Sequence, residues 1–211
     1  MFSVQNRAET IQKLQTEVFD ILVIGGGITG VGIALDAIGR GLSVALIEKQ
    51  DFAAGTSSRS TKLIHGGLRY LKQLEFGIVR EVGHERKTVY HNAPHLVIPQ
   101  KMLLPITENG SMGEYAASLG IYVYDWLAGV QRKERRLMLN RSEALKREPL
   151  LKPEELTAGV VYWEYRSDDA RLVIEVAKTA AADGALLLNY CAFDDFLYEK
   201  KQVSGVRASD L

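Results

Sequence analysis

The stretch from Val18 to Glu48 restricts the fold more than any other part of the chain. Residues 18–24 read Val-Phe-Asp-Ile-Leu-Val-Ile, an apolar run of the kind found in buried parallel strands. Gly25-Gly26-Gly27-Ile28-Thr29-Gly30 follows, and a helix is predicted from about Ile28 to Arg40, stopped by Gly41. Ser43–Ile47 is a second apolar strand that closes at Glu48. Strand, glycine turn, helix and strand make a βαβ unit. Within the turn, Gly25, Gly27 and Gly30 satisfy G-x-G-x-x-G, and each has its own reason. Gly25 permits the tight exit from the strand. Gly27 lets a pyrophosphate approach the backbone and the free N–H groups of the helix start. Gly30 lets the helix pack close to the sheet. Alone the pattern is weak, and glycines that merely make a turn are the plain alternative. Here it follows a predicted strand, opens a predicted helix, and precedes Glu48, 18 residues beyond Gly30, a carboxylate placed for an adenosine ribose.

Glu48 argues for a free ribose 2′-hydroxyl and against a 2′-phosphate, because two anions would repel there. FAD and NAD both meet that condition, so the turn alone does not separate them. The next segment, Gly55-Thr56-Ser57-Ser58-Arg59-Ser60-Thr61-Lys62, carries five hydroxyls and two cations in eight residues. Hydroxyls at a helix start, with backbone N–H groups and Lys62, suit a phosphate chain; a solvated serine-rich loop is the bland alternative. Then comes Leu63-Ile64-His65-Gly66-Gly67-Leu68-Arg69-Tyr70. Paired glycines among bulky neighbours suggest backbone lying against a large flat ring such as a flavin. Arg69 offers a planar fork to a phosphate or carboxylate. His65 is a candidate donor or acid–base group, against the commoner structural role of a lone histidine.

These strings together resemble the flavin-dependent glycerol-3-phosphate dehydrogenase family. The resemblance rests on Phe19 through Glu48, on the continuous string Ala54 through Leu71, and on Ala93-Pro94-His95-Leu96. Leu103-Leu104-Pro105, Tyr124-Asp125 and Asp168-Asp169-Ala170-Arg171-Leu172 extend it over essentially the whole chain after residue 17. It implies an α/β fold: a Rossmann-like FAD-binding domain with insertions, plus the start of a substrate-domain β-sheet. It also implies oxidation of sn-glycerol 3-phosphate to dihydroxyacetone phosphate, with hydride passing to flavin N5 and electrons to a quinone. On this chain Gly25, Gly27, Gly30 and Glu48 are then expected to hold the ADP half. Thr56, Ser57, Ser58 and Lys62 are expected along the pyrophosphate and ribityl chain, and His65, Gly66 and Gly67 beside the isoalloxazine. Arg69 is expected to help bind substrate phosphate, and His65 is the best base candidate present. Another flavoenzyme of the amino-acid-oxidase type and a non-catalytic FAD-binding fragment are the alternatives.

Composition excludes some partners. Lys+Arg and Asp+Glu each number 26, so the basic excess of a nucleic-acid wrapper is missing. The longest uncharged stretch, Ile21–Leu35, is too short and glycine-rich to cross a bilayer. The expected address is the cytoplasm, with docking on the membrane surface where a quinone is to be reached. Cys191 is the single cysteine, expected as a small apolar residue in a strand. His84, His91 and His95 show no metal-ligand spacing, and the basic run Gln131–Arg136 reads as a solvated connector.

Residues 1–17 form an expected N-terminal extension, with Ile11 and Leu14 as its apolar pair. Residues 18–107 are the FAD-binding core and flavin-contacting segment, and 108–211 a helical insertion and incomplete substrate-domain segment. Helices are expected over Glu75–His91 with Ile78, Val79 and Val82 inward, from Asn109–Ser111 to about Leu127, from Ser142, and over Asp168–Asp183. Strands are expected at Lys101–Thr107, at 157–166 and, three times, within Gly184–Asp210. That last sheet breaks off at Leu211, and the family continues past this endpoint, so the chain is expected to be a piece of a longer protein.

Overall fold

The computed structural model describes residues 6–64, 70, 73–108, 119–120, 122–123 and 135–211. His65, Gly66, Gly67 and Arg69 lie outside the described residues, as do the turn expected at Asn109–Ser111 and most of the helix expected after it. In chain order the elements are α1 (Arg7–Thr16), β1 (Ile21–Ile24), α2 (Ile28–Gly39), β2 (Val44–Ile47), β3 (Leu63–Ile64), α3 (Phe76–Asn92) and β4 (Val97–Thr107). They continue with β5 (Leu137–Asn140), α4 (Arg141–Arg147), β6 (Leu156–Ser167), α5 (Asp169–Ala182), β7 (Leu186–Leu188), β8 (Cys191–Glu199) and β9 (Gln202–Asp210). They form two compact units, one of residues up to Thr61 with Asp168–Leu211, the other of Lys62–Ser167. These boundaries differ from the expected cut at 107/108, because the chain leaves the first unit at Thr61 and returns to it at Asp168.

In the first unit β1, β2 and β7 form a parallel sheet in that order, with Ile21 opposite Val44 and Ala45 opposite Leu186. All four residues of β2 are buried, as a central parallel strand covered on both faces requires. On one face Val31, Ala34 and Ala37 of α2 and Val173, Ala177 and Ala180 of α5 pack with Val23, Val44 and Leu46. On the other, Ile47, Leu188 and Cys191 meet Ile11 and Leu14, so the N-terminal extension includes a helix, α1, docked by its apolar pair. The small residues along α2 and α5 let the helices lie close to the sheet and to each other.

Both helices stop in the same way. Leu42 N–H donates to Ala37 O (3.2 Å) and Gly41 N–H to Ile38 O (2.9 Å), with Gly41 at φ +83°. Ala185 N–H donates to Ala180 O (2.9 Å) and Gly184 N–H to Ala181 O (3.3 Å), with Gly184 at φ +110°. Each is a Schellman ending, in which a left-handed glycine turns the chain back to satisfy carbonyls of the last turn. At its start α5 is capped by Asp168, whose carboxylate accepts from Arg171 N–H at 3.1 Å, while Asp169 accepts from the Ser60 hydroxyl. Arg171 pairs with Glu175, so Asp168, Asp169 and Arg171 all have structural partners within this unit. Asp20 accepts from both the N–H (2.8 Å) and the hydroxyl (2.7 Å) of Ser43, which clamps β1 to β2 at their starts and lowers its pKa. A carboxyl depressed on folding contributes stability above the ordinary carboxylate range and loses it as the pH falls below. The β8–β9 hairpin completes the unit, with Cys191 opposite Asp210.

The second unit is an antiparallel sheet around β6, which pairs with β4 on one side and with β3 and β5 on the other. β4 contains Pro99 and Pro105, six residues apart and therefore oriented alike. Among the described residues it pairs only with β6, and an outer strand is where missing N–H donors are tolerated. α4 begins with a capping box, in which Asn140 accepts from Glu143 N–H (3.0 Å) and Glu143 accepts from Asn140 N–H (2.9 Å).

The inward face of α3 differs from the expected one. Val79, Gly83 and Arg86 are buried, while Ile78 is exposed and Val82 half-buried. The arginine sets the rotation: its Nη1 donates to the buried Glu164 carboxylate at 3.0 Å and to Trp163 O at 3.3 Å, and the guanidinium lies 4.8 Å from the Tyr165 ring centroid. A pattern that counts only apolar residues does not find this stripe. Burial, and secondarily the Glu164 charge, raises the Tyr162 phenol above its usual range.

Two outcomes follow from this packing. Glu164→Leu removes the buried carboxylate that Arg86 pairs with and costs about 3–5 kcal/mol in denaturant unfolding, while Arg86→Met with Glu164→Leu recovers most of it; an undiminished loss in the double variant contradicts this. Cys191 is buried, which raises its thiol pKa with help from Asp210. A disulfide reagent at neutral pH should leave it unlabelled in the folded chain and label it on unfolding; prompt labelling of the folded chain contradicts the packing.

Candidate cofactor site

β1 ends at Ile24, and Gly25 leaves it at φ +113°, a conformation that side chains strongly disfavour. Gly25 N–H donates to Ile47 O at 2.8 Å, which keeps β1 and β2 joined to the last residue. A Cβ at Gly30 would lie 1.9 Å from Gly25 O, so the first turn of α2 comes to rest directly on the glycine turn. Gly27 is the N-cap of α2, with extended backbone and no side chain to close the helix start. Among the described residues, a Cβ there would meet only Ser57 Oγ, at 3.7 Å. No acidic residue occupies the first turn of α2, so the positive end of its dipole is not offset from within the helix.

Glu48 stands opposite, at the end of β2. One carboxylate oxygen accepts from Gly26 N–H at 2.7 Å and the other from Gln50 N–H at 2.8 Å. Its main chain is equally fixed, since Glu48 N–H donates to Leu188 O (2.9 Å) and Glu48 O accepts from Cys191 N–H (2.8 Å). Each carboxylate oxygen has a second lone pair, so the group retains acceptor capacity for ribose hydroxyls.

The segment after Glu48 returns to the turn. Ala53, at φ +65°, donates its N–H to Gly26 O at 3.0 Å. Thr56–Ser58 is one turn of 3-10 helix. Ser57 Oγ accepts from Ile28 N–H at 3.3 Å, which puts a hydroxyl at the start of α2. Ser58 Oγ donates to Ala53 O at 2.6 Å and stabilises the loop itself, while Thr56 is exposed. The structure thus brings together Gly25, Gly27, Gly30, Glu48 and Ser57. Lys62 belongs to the other compact unit, where its carbonyl accepts from Ser167 N–H at 2.9 Å.

Gly26 is the residue of this candidate site that the sequence pattern did not single out. A Cβ on it would sit 2.7 Å from Phe52 Cδ1 and 2.9 Å from Glu48 Cβ, and its N–H is the donor that orients Glu48. The signal available was that it fills a variable position of the pattern with a third glycine. Phe52 and Ala53, both buried, form the other wall of this contact. The donors and acceptors suit an ADP moiety: a helix start whose N-cap glycine has no side chain, a hydroxyl for phosphates, and a pre-oriented carboxylate for a ribose.

The chain resembles known proteins over nearly its whole length. It is 54% identical over 206 residues to the aerobic glycerol-3-phosphate dehydrogenase of Staphylococcus aureus (strain USA300), covering 97% of this chain and 37% of that protein. The chain therefore spans a little over a third of that relative's length. The fold is similar to that of the glycerol-3-phosphate dehydrogenase from Bacillus halodurans complexed with FAD, with a TM-score of 0.77 and 43% identity. That match covers 100% of this chain and 34% of the other. The L-α-glycerophosphate oxidase of Mycoplasma pneumoniae with FAD bound shares the fold at a TM-score of 0.64 and 21% identity, over 88% of this chain and 48% of that one. The family model described as FAD dependent oxidoreductase matches residues 20–210. With that match over nine-tenths of its length, the chain belongs to the FAD dependent oxidoreductase family, and FAD is the cofactor left open between two candidates by the glycine pattern.

Proposed function

We propose that this chain holds the ADP half of FAD in the turn between β1 and α2. We further propose that it is the cofactor-binding portion of an enzyme oxidising sn-glycerol 3-phosphate to dihydroxyacetone phosphate. The observation that carries the first part is the Glu48 carboxylate, fixed by Gly26 N–H beside a helix start whose N-cap glycine has no side chain. The second part is supported by the 54% identity to the S. aureus aerobic glycerol-3-phosphate dehydrogenase. When bound, FAD supplies the hydride acceptor and the relay of electrons to a quinone.

The chain's own groups would act by binding and orientation. Glu48 would accept from the ribose hydroxyls, the N–H groups at the start of α2 and the Ser57 hydroxyl would receive the pyrophosphate, and Gly27 would let it approach. Thr56, Ser58 and Lys62 are assigned to the phosphate and ribityl chain on the strength of the family resemblance. On the same ground Gly66 and Gly67 would border the ring, Arg69 would fork onto the substrate phosphate, and His65 would take the proton of the substrate C2 hydroxyl. Among the described residues no helix is long and apolar enough to cross a membrane. A cytoplasmic enzyme resting on the membrane surface would meet a quinone without one.

Three measurements test this reading. Glu48→Ala, which removes both the ribose acceptor and the Gly26 anchor, should weaken FAD binding by about 10- to 100-fold, the worth of one or two charge-assisted hydrogen bonds; unchanged affinity contradicts the ribose role. Gly30→Ala should abolish FAD binding and lower the thermal midpoint, because α2 cannot seat; a variant that binds normally contradicts the close approach. An anaerobic absorbance spectrum before and after glycerol 3-phosphate tests the activity. Bleaching of the flavin band supports dehydrogenation by this chain. An unchanged band supports a binding portion that needs the rest of the relatives' length, and bleaching by glycine or sarcosine instead would overturn the substrate assignment.

A further inference from the structure

The loop that presents Glu48, Phe52 and Ala53 to the glycine turn is itself held from behind. Asp51 accepts from its neighbour Phe52 N–H at 2.9 Å and from the Asn189 side-chain amide at 2.8 Å. Tyr190 N–H donates to Gln50 O at 3.0 Å. Asn189 and Tyr190 form the corner between β7 and β8, and Tyr190 takes φ +51°, a left-handed conformation that costs a non-glycine residue energy and needs support. That support comes from α1. Arg7 Nη1 donates to Asn189 O at 2.8 Å and reaches Asn189 Oδ1 at 3.4 Å, Nη2 donates to Tyr190 O at 3.3 Å, and the same guanidinium pairs with Asp210. One planar fork thus satisfies the corner's carbonyls and the acceptor side of Asn189, leaving the amide donor aimed at Asp51. Arg7, Asp51, Asn189 and Tyr190 are among the residues lining a cavity of about 650 Å³. Phe52 and Ala53 pack into the hydrophobic core, and the polar bonds of Asp51 and Gln50 fix the side of the loop that faces the corner.

We infer that Arg7 and Asn189 are positioning residues for the ADP half of FAD, acting through Asp51 on the loop 48–53 that carries the ribose carboxylate. This rests on the reading of the glycine turn as the FAD site. Neither residue touches that turn, so their effect passes through the Asn189–Asp51 bond. That bond has a chemical direction, amide to carboxylate, and exchanging the two side chains keeps one amide facing one carboxylate. Both bonds to Asp51 fall on the same oxygen, Oδ1. In the exchanged pair the amide at position 51 would turn its NH₂ to the carboxylate at position 189 and give up the local bond from Phe52 N–H. The carboxylate at position 189 would in turn accept from Arg7.

The test is the affinity of the whole chain for FAD, read by flavin fluorescence, in the parent, Asn189→Asp, Asp51→Asn and the exchanged pair, with the FAD-free thermal midpoint measured alongside. Asn189→Asp sets two carboxylates against each other and should weaken FAD binding about 10-fold. The exchanged pair should return to within about 3-fold of the parent, as expected for two residues whose effects are coupled. If Asn189→Asp alone does not fold, Asn189→Ala, which removes the amide donor without adding a charge, serves as the single variant. Parent-like affinity in the single variant overturns the inference while leaving the FAD reading intact. So does a loss that follows the thermal midpoint and is not recovered on exchange. A parent that does not bind FAD overturns the FAD reading and this inference with it.

Discussion

Between Gly25 and Gly30 there is no room for a side chain, and the rest of the first compact unit follows from that contact. A Cβ on residue 30 would lie 1.9 Å from Gly25 O, so α2 starts against the strand that precedes it. The close start draws the N-terminal N–H groups of α2 to the carboxyl end of the parallel sheet, where β2 delivers Glu48. Gly26, trapped between Phe52 and Glu48, donates the N–H that fixes the carboxylate. Three glycines in sequence therefore do different work: one turns the chain, one orients an acceptor, and one starts the helix without a side chain.

The half-site also depends on residues far downstream. Glu48 is bonded on both sides of its main chain to β7 and β8, through Leu188 and Cys191. These strands arrive only after the chain has built the second unit and returned along α5, whose small buried residues pack with those of α2. The sheet is complete only when β7 pairs with β2, and the loop after β2 is buttressed by the corner that follows β7. Cofactor geometry and the folding of this returning segment are thus one problem rather than two.

Much of this was legible in the sequence, for physical reasons that differ by element. The βαβ unit announced itself because buried parallel strands are continuous apolar runs and because glycine is the residue that suits a left-handed turn or a close approach. Gly41 marked the end of α2 for the same reason. The inward face of α3 was not legible: Arg86 is buried by its pairing with Glu164, 78 residues away, and an apolar periodicity has no means of registering that. Nor was the division into units, since the boundaries at 61/62 and 167/168 depend on where the chain returns rather than on local composition. Glu48 was read as a ribose acceptor; that it is oriented by Gly26 could be seen only with the strands side by side. His65, Gly66, Gly67 and Arg69, which carry the proposed chemistry at the ring and the substrate, stand on the resemblance to the glycerol-3-phosphate dehydrogenases.

The central claim is that the turn between β1 and α2 receives an ADP group, with Glu48 on its ribose and the start of α2 on its phosphates. An amide-resolved NMR titration of the chain with ADP, which lacks the flavin and so probes this half alone, tests it most directly. The account predicts that the largest shifts fall on Gly26, Gly27, Ile28 and Thr29, with Glu48 and Ser57 moving in the same titration. Saturable shifts confined to other parts of the chain, with these amides unmoved, would contradict it.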